Sequence, residues 1–130
     1  MTKPAKIHVR FADCDMMGHV NNAVYLSYFE MARMHYFEQV IDKKWDWKKQ
    51  GIVLVKNTVE YMGPVFLHDE PQIFVKVSHV GNKSFTMIYD LQVNGITKTK
   101  GESVLVCFDF LANKTAEVYP EMKEALTKIS

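Results

Sequence analysis

Residues Ile7, Val9 and Phe11 alternate with His8 and Arg10, the period of a half-buried strand, and they predict a first strand over 7–11 followed by a loop over 12–21. From Asn22 the period changes. Tyr25, Tyr28, Phe29, Ala32, Tyr36 and Val40 recur at three- and four-residue spacing, one apolar stripe of a helix about five turns long. Asn21 or Asn22 is placed to cap it. Four later segments, 52–61, 72–80, 84–93 and 97–111, are dominated by apolar, β-branched and aromatic residues and are predicted to be strands. Gly63-Pro64, Gly81-Asn82 and Asn94-Gly95 punctuate them, and Asn-Gly favours the tight turn of an antiparallel hairpin. An antiparallel meander follows. Pro120 opens a short terminal helix carrying Met122, Ala125, Leu126 and Ile129.

One long early helix followed by four strands predicts an α+β domain whose sheet wraps the helix. At 130 residues and 48% hydrophobic composition, the chain fits one domain over 1–130. A single helix covers one face of such a sheet, so a homodimer or homotetramer is expected to shelter the remaining apolar surface. The 16 Lys and Arg nearly balance the 15 Asp and Glu, so no global field draws in nucleic acid. Any anionic ligand must be held locally. No signal-like apolar run opens the sequence and no stretch approaches the ~18 apolar residues of a membrane span, so a cytoplasmic location is expected. Cys14 and Cys107 are distant and form no Cys-x-x-Cys pair, which predicts two reduced thiols.

The stretch from Val9 to Arg33, VRFADCDMMGHVNNAVYLSYFEMAR, sets two carboxylates, a Gly and a His in a loop that runs into a helix start. Helix starts offer unbonded N–H groups and the positive end of the dipole, so they stabilise the oxyanion formed when a carbonyl is attacked. Asp15 precedes Asn22 by seven positions. From there it reaches a carbonyl docked at the helix start, either attacking directly or activating water.

This stretch resembles the 4-hydroxybenzoyl-CoA thioesterase family and its YbgC-like bacterial relatives. The resemblance rests on Asp13-Cys14-Asp15-Met16-Met17-Gly18 ahead of the helix, and extends through Tyr28-Phe29-Glu30 to Arg33. It continues more loosely through Glu60-Tyr61 to Pro64, His68-Asp69-Glu70 and Lys83-Ser84-Phe85. It implies a hot-dog fold with an active site at a dimer interface. It also implies Asp15 as nucleophile or general base, and the Asn22 N–H as oxyanion donor. Where some members carry Tyr-His or Tyr-Pro at the helix start, this chain has Asn21-Asn22. His19-Val20-Asn21-Asn22 looks like the His-Val-Asn-Asn of related acyl thioesterases, including those that act on acyl carrier protein. Members that bind coenzyme A meet its phosphates with basic residues ahead of a Ser-Phe pair, where only Lys83 stands here. The implied substrate is an acyl-CoA, with an acyl-carrier-protein thioester as the other carrier, and coenzyme A enters only as part of the substrate.

The other residues of the segment have their own readings. Asp13 is expected to fix the loop through backbone hydrogen bonds. His19 either orients substrate and tunes Asp15 or is a hydrogen-bonded structural residue. Gly18 permits the turn, beside the substrate, and Asn21 and Tyr25 are placed to line the substrate site. Glu30 and Arg33 are spaced for an ion pair. Asp13, Asp15 and His19 lack the further spaced ligand of a metal centre, so no metal is expected. Cys14 lies between two carboxylates and is a poor nucleophile. A hot-dog hydratase or dehydratase would carry Asp-x-Asn-Pro-x-His, but here Met17-Gly18 replace Asn-Pro and His19 comes one position early. A non-catalytic acyl-thioester binding module would have less use for Asp15.

Overall fold

The computed structural model of the protein describes residues 2–129. Strand β1 (Ala5–Lys6) is followed by a single 3-10 turn (Phe11–Asp13) and helix α1 (Val24–Val40). Then come β2 (Gly51–Tyr61), β3 (Gln72–Val80), β4 (Ser84–Val93), β5 (Ile96–Asp109), β6 (Lys114–Thr115) and α2 (Pro120–Ile129). The sheet is antiparallel in the order β1-β3-β4-β5-β2, with β6 on β5. It wraps one face around α1, the α+β architecture expected.

The meander expectation holds only for β3, β4 and β5. β2 crosses to pair with β5, from Gly51 opposite Phe108 to Tyr61 opposite Thr99, and so becomes the free edge. The first strand is also displaced: pairing stops at Lys6 opposite Gln72, where Pro71 has no N–H to extend the ladder and only accepts from Ile7 N at 2.9 Å. Ile7 and Val9 are still buried, but Phe11 is 83% exposed and opens the 3-10 turn. β5 ends two residues early because the Asp109 carboxylate accepts the N–H groups of Leu111 and Ala112, both at 2.9 Å. That turn reverses the chain into β6. The Asn94-Gly95 hairpin forms as expected, with φ of 52° and 77°.

The core lies between α1 and the inner sheet face. Phe85, Met87, Tyr89, Leu91 and Val93 alternate inward along β4, each contributing about 1.5–3 kcal/mol by burial. They meet Tyr25, Tyr28, Phe29, Ala32, Tyr36 and Phe37 of α1. The Phe29 ring stacks on Tyr89 at 4.7 Å and 11°, lying so close to Gly101 that a Cβ there would come within 2.5 Å of it. Arg33 turns to the sheet as well: it is buried and donates to the Tyr89 hydroxyl at 3.1 Å. The expected Glu30–Arg33 pair does not form among the described residues, because Glu30 projects to solvent. In α2, Met122 and Leu126 are buried, while the side chain of Ile129 lies outside the described residues. Both cysteines are free thiols; burial pushes the Cys107 thiol up to about 11.

Candidate active site

The loop ahead of α1 is a tight hairpin with a buried anchor. Asp13 is 1% exposed. Its carboxylate accepts from the Tyr28 hydroxyl at 2.7 Å, from the Arg10 backbone N–H at 3.0 Å and from the Arg10 guanidinium at 2.9 and 3.2 Å. Burial pushes this carboxyl up, but the bonds from Tyr28 and Arg10 and the Arg10 charge outweigh it, so it lies below the usual carboxylate range. The same contact, with burial as the larger cause, drives the Tyr28 phenol well above its usual value. The Asp13 carbonyl accepts from Asn21 N at 2.9 Å, and Cys14 bridges Val20. Asp13 thus has the loop-fixing role expected of it, and it closes the base of the hairpin onto α1.

The hairpin presents Asp15 at its tip. The Asp15 N–H donates to the His19 carbonyl at 2.8 Å, and its Oδ1 accepts from Met17 N at 2.9 Å and His19 N at 3.2 Å. No protein donor among the described residues binds Oδ2. Gly18 makes the reversal with φ of 82° and nothing within 4 Å of where a Cβ would stand, the left-handed turn that favours glycine.

Helix α1 starts at Val24, later than expected, with Ala23 as its N-cap residue. Neither asparagine is the N-cap, and Ala23 carries no side-chain cap. Asn21 instead makes a turn ahead of the helix, its Oδ1 accepting from Ala23 N at 3.0 Å and its carbonyl from Val24 N at 2.9 Å. The Asn22 N–H has no protein acceptor among the described residues. Its carbonyl accepts from the Tyr61 hydroxyl at 2.7 Å.

A cavity of about 270 Å³ opens here, lined by Asp15, His19, Asn22, Tyr25, Tyr61 and Met62 among others. Asp15, Asn22, His19 and Tyr25 are therefore together, whereas Asn21 and Gly18 shape the backbone behind them. The His19 ring packs edge-on against Phe66 at 5.0 Å, and only its backbone bonds Asp15. Tyr25 is both core and cavity wall. Lys83 sits elsewhere in the chain. Ser84 pairs with Val106 whereas Tyr61 pairs with Thr99, so the Lys83 turn lies about 24 Å along β5 from the cavity at ~3.4 Å per residue. Met62 of the cavity lining is exposed, as are Met16 and Met17 in the Asp15 hairpin and Phe66 against the His19 ring. A larger space of about 670 Å³ lies over β2 to β5, lined by Thr58, Phe74, Lys76, Ile88, Asp90 and Glu102 among others, and contains none of these groups. Tyr61 and Tyr28 are the site residues that pattern reasoning left without a role. Their signal, a tyrosine ending β2 and a tyrosine in an apolar stripe, is the same as that of ordinary core aromatics.

One cavity is thus lined both by Asp15, with one uncommitted carboxylate oxygen, and by Asn22, whose N–H just ahead of α1 is unpaired among the described residues. The thioesterase-like superfamily model matches residues 9–126, and the chain belongs to that superfamily: it is a thioester hydrolase of the hot-dog fold. Among similar proteins, YsmA of Bacillus subtilis strain 168, itself uncharacterized, is 32% identical over 93% of this chain and 82% of its own length. The long-chain acyl-CoA thioesterase FadM of Escherichia coli K12 is 27% identical over 95% of this chain and 96% of its own. A crystal structure of a thioesterase complexed with coenzyme A and Zn, from Thermus thermophilus, superposes with a TM-score of 0.86. It shares 35% identity and covers 97% of this chain and 92% of that one. In the present chain no group of three His, Cys, Asp or Glu side chains that could hold a metal ion occurs among the described residues, so these residues do not assemble the ligand set of a zinc ion. No helix among the described residues is long and apolar enough to cross a membrane.

Proposed function

We propose that the protein hydrolyses acyl-CoA thioesters with an apolar acyl group, Asp15 supplying the carboxylate and the Asn22 N–H the oxyanion contact. The observation that carries this reading is the shared cavity in which a half-free carboxylate and an unpaired helix-start N–H meet. The new C–O bond comes from Asp15 itself or from a water whose proton Asp15 takes. The carbonyl oxygen gains charge beside the Asn22 N–H, the C–S bond breaks and the thiolate leaves with its electron pair, to be protonated by Asp15 in the water route and by solvent in the direct one. In the direct route water then hydrolyses the anhydride. Single turnover in 18O water separates the routes, because only the anhydride route can leave the label in Asp15.

Coenzyme A as the carrier draws support from the bound ligand of the Thermus relative, and an apolar acyl chain from the E. coli relative's long-chain substrate. The exposed Met16, Met17, Met62 and Phe66 fit such a chain, since thioether side chains adapt to irregular apolar shapes. A cavity of about 270 Å³ falls below the ~300–1,000 Å³ that encloses a drug-sized ligand, so a second subunit is expected to complete it. β2 is an unpaired edge with Val55 56% exposed at its bulge, and such edges are normally covered. Antiparallel pairing of two β2 edges sets the Tyr61 end of one against the Gly51 end of the other. That is the end of the sheet bearing the Lys83 turn. The partner subunit's Lys83 then approaches the nucleotide phosphates, and the proposed assembly is a homodimer or a tetramer of such dimers. The chain acts as one domain over 1–130, and its two free thiols fit a reducing, cytoplasmic location.

The test is thiol release from short, long, aromatic and hydroxylated acyl-CoAs, with acyl-carrier-protein thioesters run beside them. Turnover that rises with apolar acyl length supports the proposal. Turnover confined to carrier-protein thioesters, or to hydroxylated aromatic groups, overturns the carrier or the acyl assignment.

A further inference from the structure

We infer that Tyr61 is a positioning residue of the hydrolytic site, holding the oxyanion donor in place through the Asn22 carbonyl. The inference rests on the reading of the Asn22 N–H given above. Asn22 lies between two planar peptides. The plane before it is fixed because the Asn21 carbonyl accepts from Val24 N at 2.9 Å. The plane after it is held at both ends: Ala23 N donates to Asn21 Oδ1 at 3.0 Å, and the Asn22 carbonyl accepts the Tyr61 hydroxyl at 2.7 Å. The unpaired Asn22 N–H lies in the plane before the residue. The Tyr61 bond, by holding the plane after, keeps the Asn22 Cα from turning and so helps keep that N–H in one direction before any charge develops on the substrate. Preorganisation of this kind is what makes an oxyanion donor effective.

Tyr61 is itself well placed for this work. It ends β2 opposite Thr99, and its ring meets Tyr25 edge-on at 5.1 Å and 78°. Tyr25 in turn packs edge-on against Tyr28 at 6.1 Å, whose hydroxyl holds Asp13. A row of three tyrosines therefore joins the two supports of the site, one under the Asp15 hairpin and one under the helix start. Burial raises the Tyr61 phenol above its usual value, so it remains a protonated donor at neutral pH.

The deciding variant is Tyr61→Phe, which keeps the ring and removes only the hydroxyl, assayed beside wild type and Asp15→Asn on one acyl-CoA. Loss of a single positioning hydrogen bond is expected to lower kcat about three- to tenfold, with KM within about twofold and melting temperature unchanged. Wild-type kcat in Tyr61→Phe, or a loss carried by KM alone, overturns the inference while a silent Asp15→Asn leaves the site reading intact. A lower melting temperature with unchanged kcat at a temperature where the variant is folded would make Tyr61 purely structural and also overturns it. Full activity in Asp15→Asn removes the site reading and this inference together.

Discussion

The layer where Phe29 stacks between Tyr89 and Gly101 and the hairpin that carries Asp15 are both held by α1, yet they are built on opposite rules. In the layer, close packing is complete: the Phe29 ring is 1% exposed and leaves Gly101 no space for a Cβ. In the hairpin, apolar side chains are left outside, with Met16 98% and Met17 74% exposed, and order comes from hydrogen bonds to Asp13 and Asp15. The difference teaches where stability and reactivity reside. Packing holds the sheet on the helix. The polar hairpin satisfies its backbone while leaving one carboxylate oxygen and one N–H uncommitted.

If that division is right, the two regions respond differently to substitution. The largest stability effect is expected for Phe29→Ala, which leaves a cavity under Gly101 and costs about 3–5 kcal/mol. Thermal or denaturant unfolding measures it, and kcat of the remaining folded enzyme should be little changed. A comparable loss of kcat would erase the distinction between the regions. Asp13→Ala comes next. It strands the Tyr28 hydroxyl and frees the hairpin, costing about 1–3 kcal/mol and, unlike Phe29→Ala, lowering kcat at temperatures where the protein is folded. Its pH dependence sharpens the point. The Asp13 carboxyl is depressed below its usual 3.8, so its stabilisation is fully present above that value and is lost as pH falls through the lower, folded-state value. The stability gap between wild type and Asp13→Asn should accordingly shrink in acid, as pH falls below that usual value of 3.8. A gap that widens in acid contradicts the assignment. The smallest effect is expected for Asn21→Ala, about 1 kcal/mol for the lost hydrogen bond from Ala23 N, read by the same unfolding experiment.

Much of this fold is legible in local pattern, because helix period, strand alternation and turn chemistry act over a few residues. The β4–β5 hairpin follows from Asn94-Gly95, and the buried face of α1 from Tyr25, Phe29 and Tyr36. What local pattern does not carry is pairing between distant segments. β2 beside β5 in place of β3, and the halt of β1 at Pro71, are decided by tertiary fit. The same holds at the site. Asp13, Asp15 and the helix start lie within one short segment and are visible there. Tyr61 reaches Asn22 across 39 positions, through a side chain indistinguishable in sequence from a core tyrosine. Arg33 departs from expectation for a related reason: its spacing from Glu30 suits a surface pair, but its side chain finds the Tyr89 hydroxyl on the sheet.

The central claim is that the free oxygen of Asp15 carries the reaction, and Asp15→Asn tests it most directly. The amide oxygen can still accept from Met17 N and His19 N, so the hairpin is expected to keep its shape while losing the carboxylate charge. On the acyl-CoA that wild type turns over fastest, kcat should fall by about a hundred- to ten-thousandfold with an unchanged melting temperature and oligomeric state. Turnover within a few-fold of wild type in that folded variant would contradict the claim and move the chemistry away from Asp15.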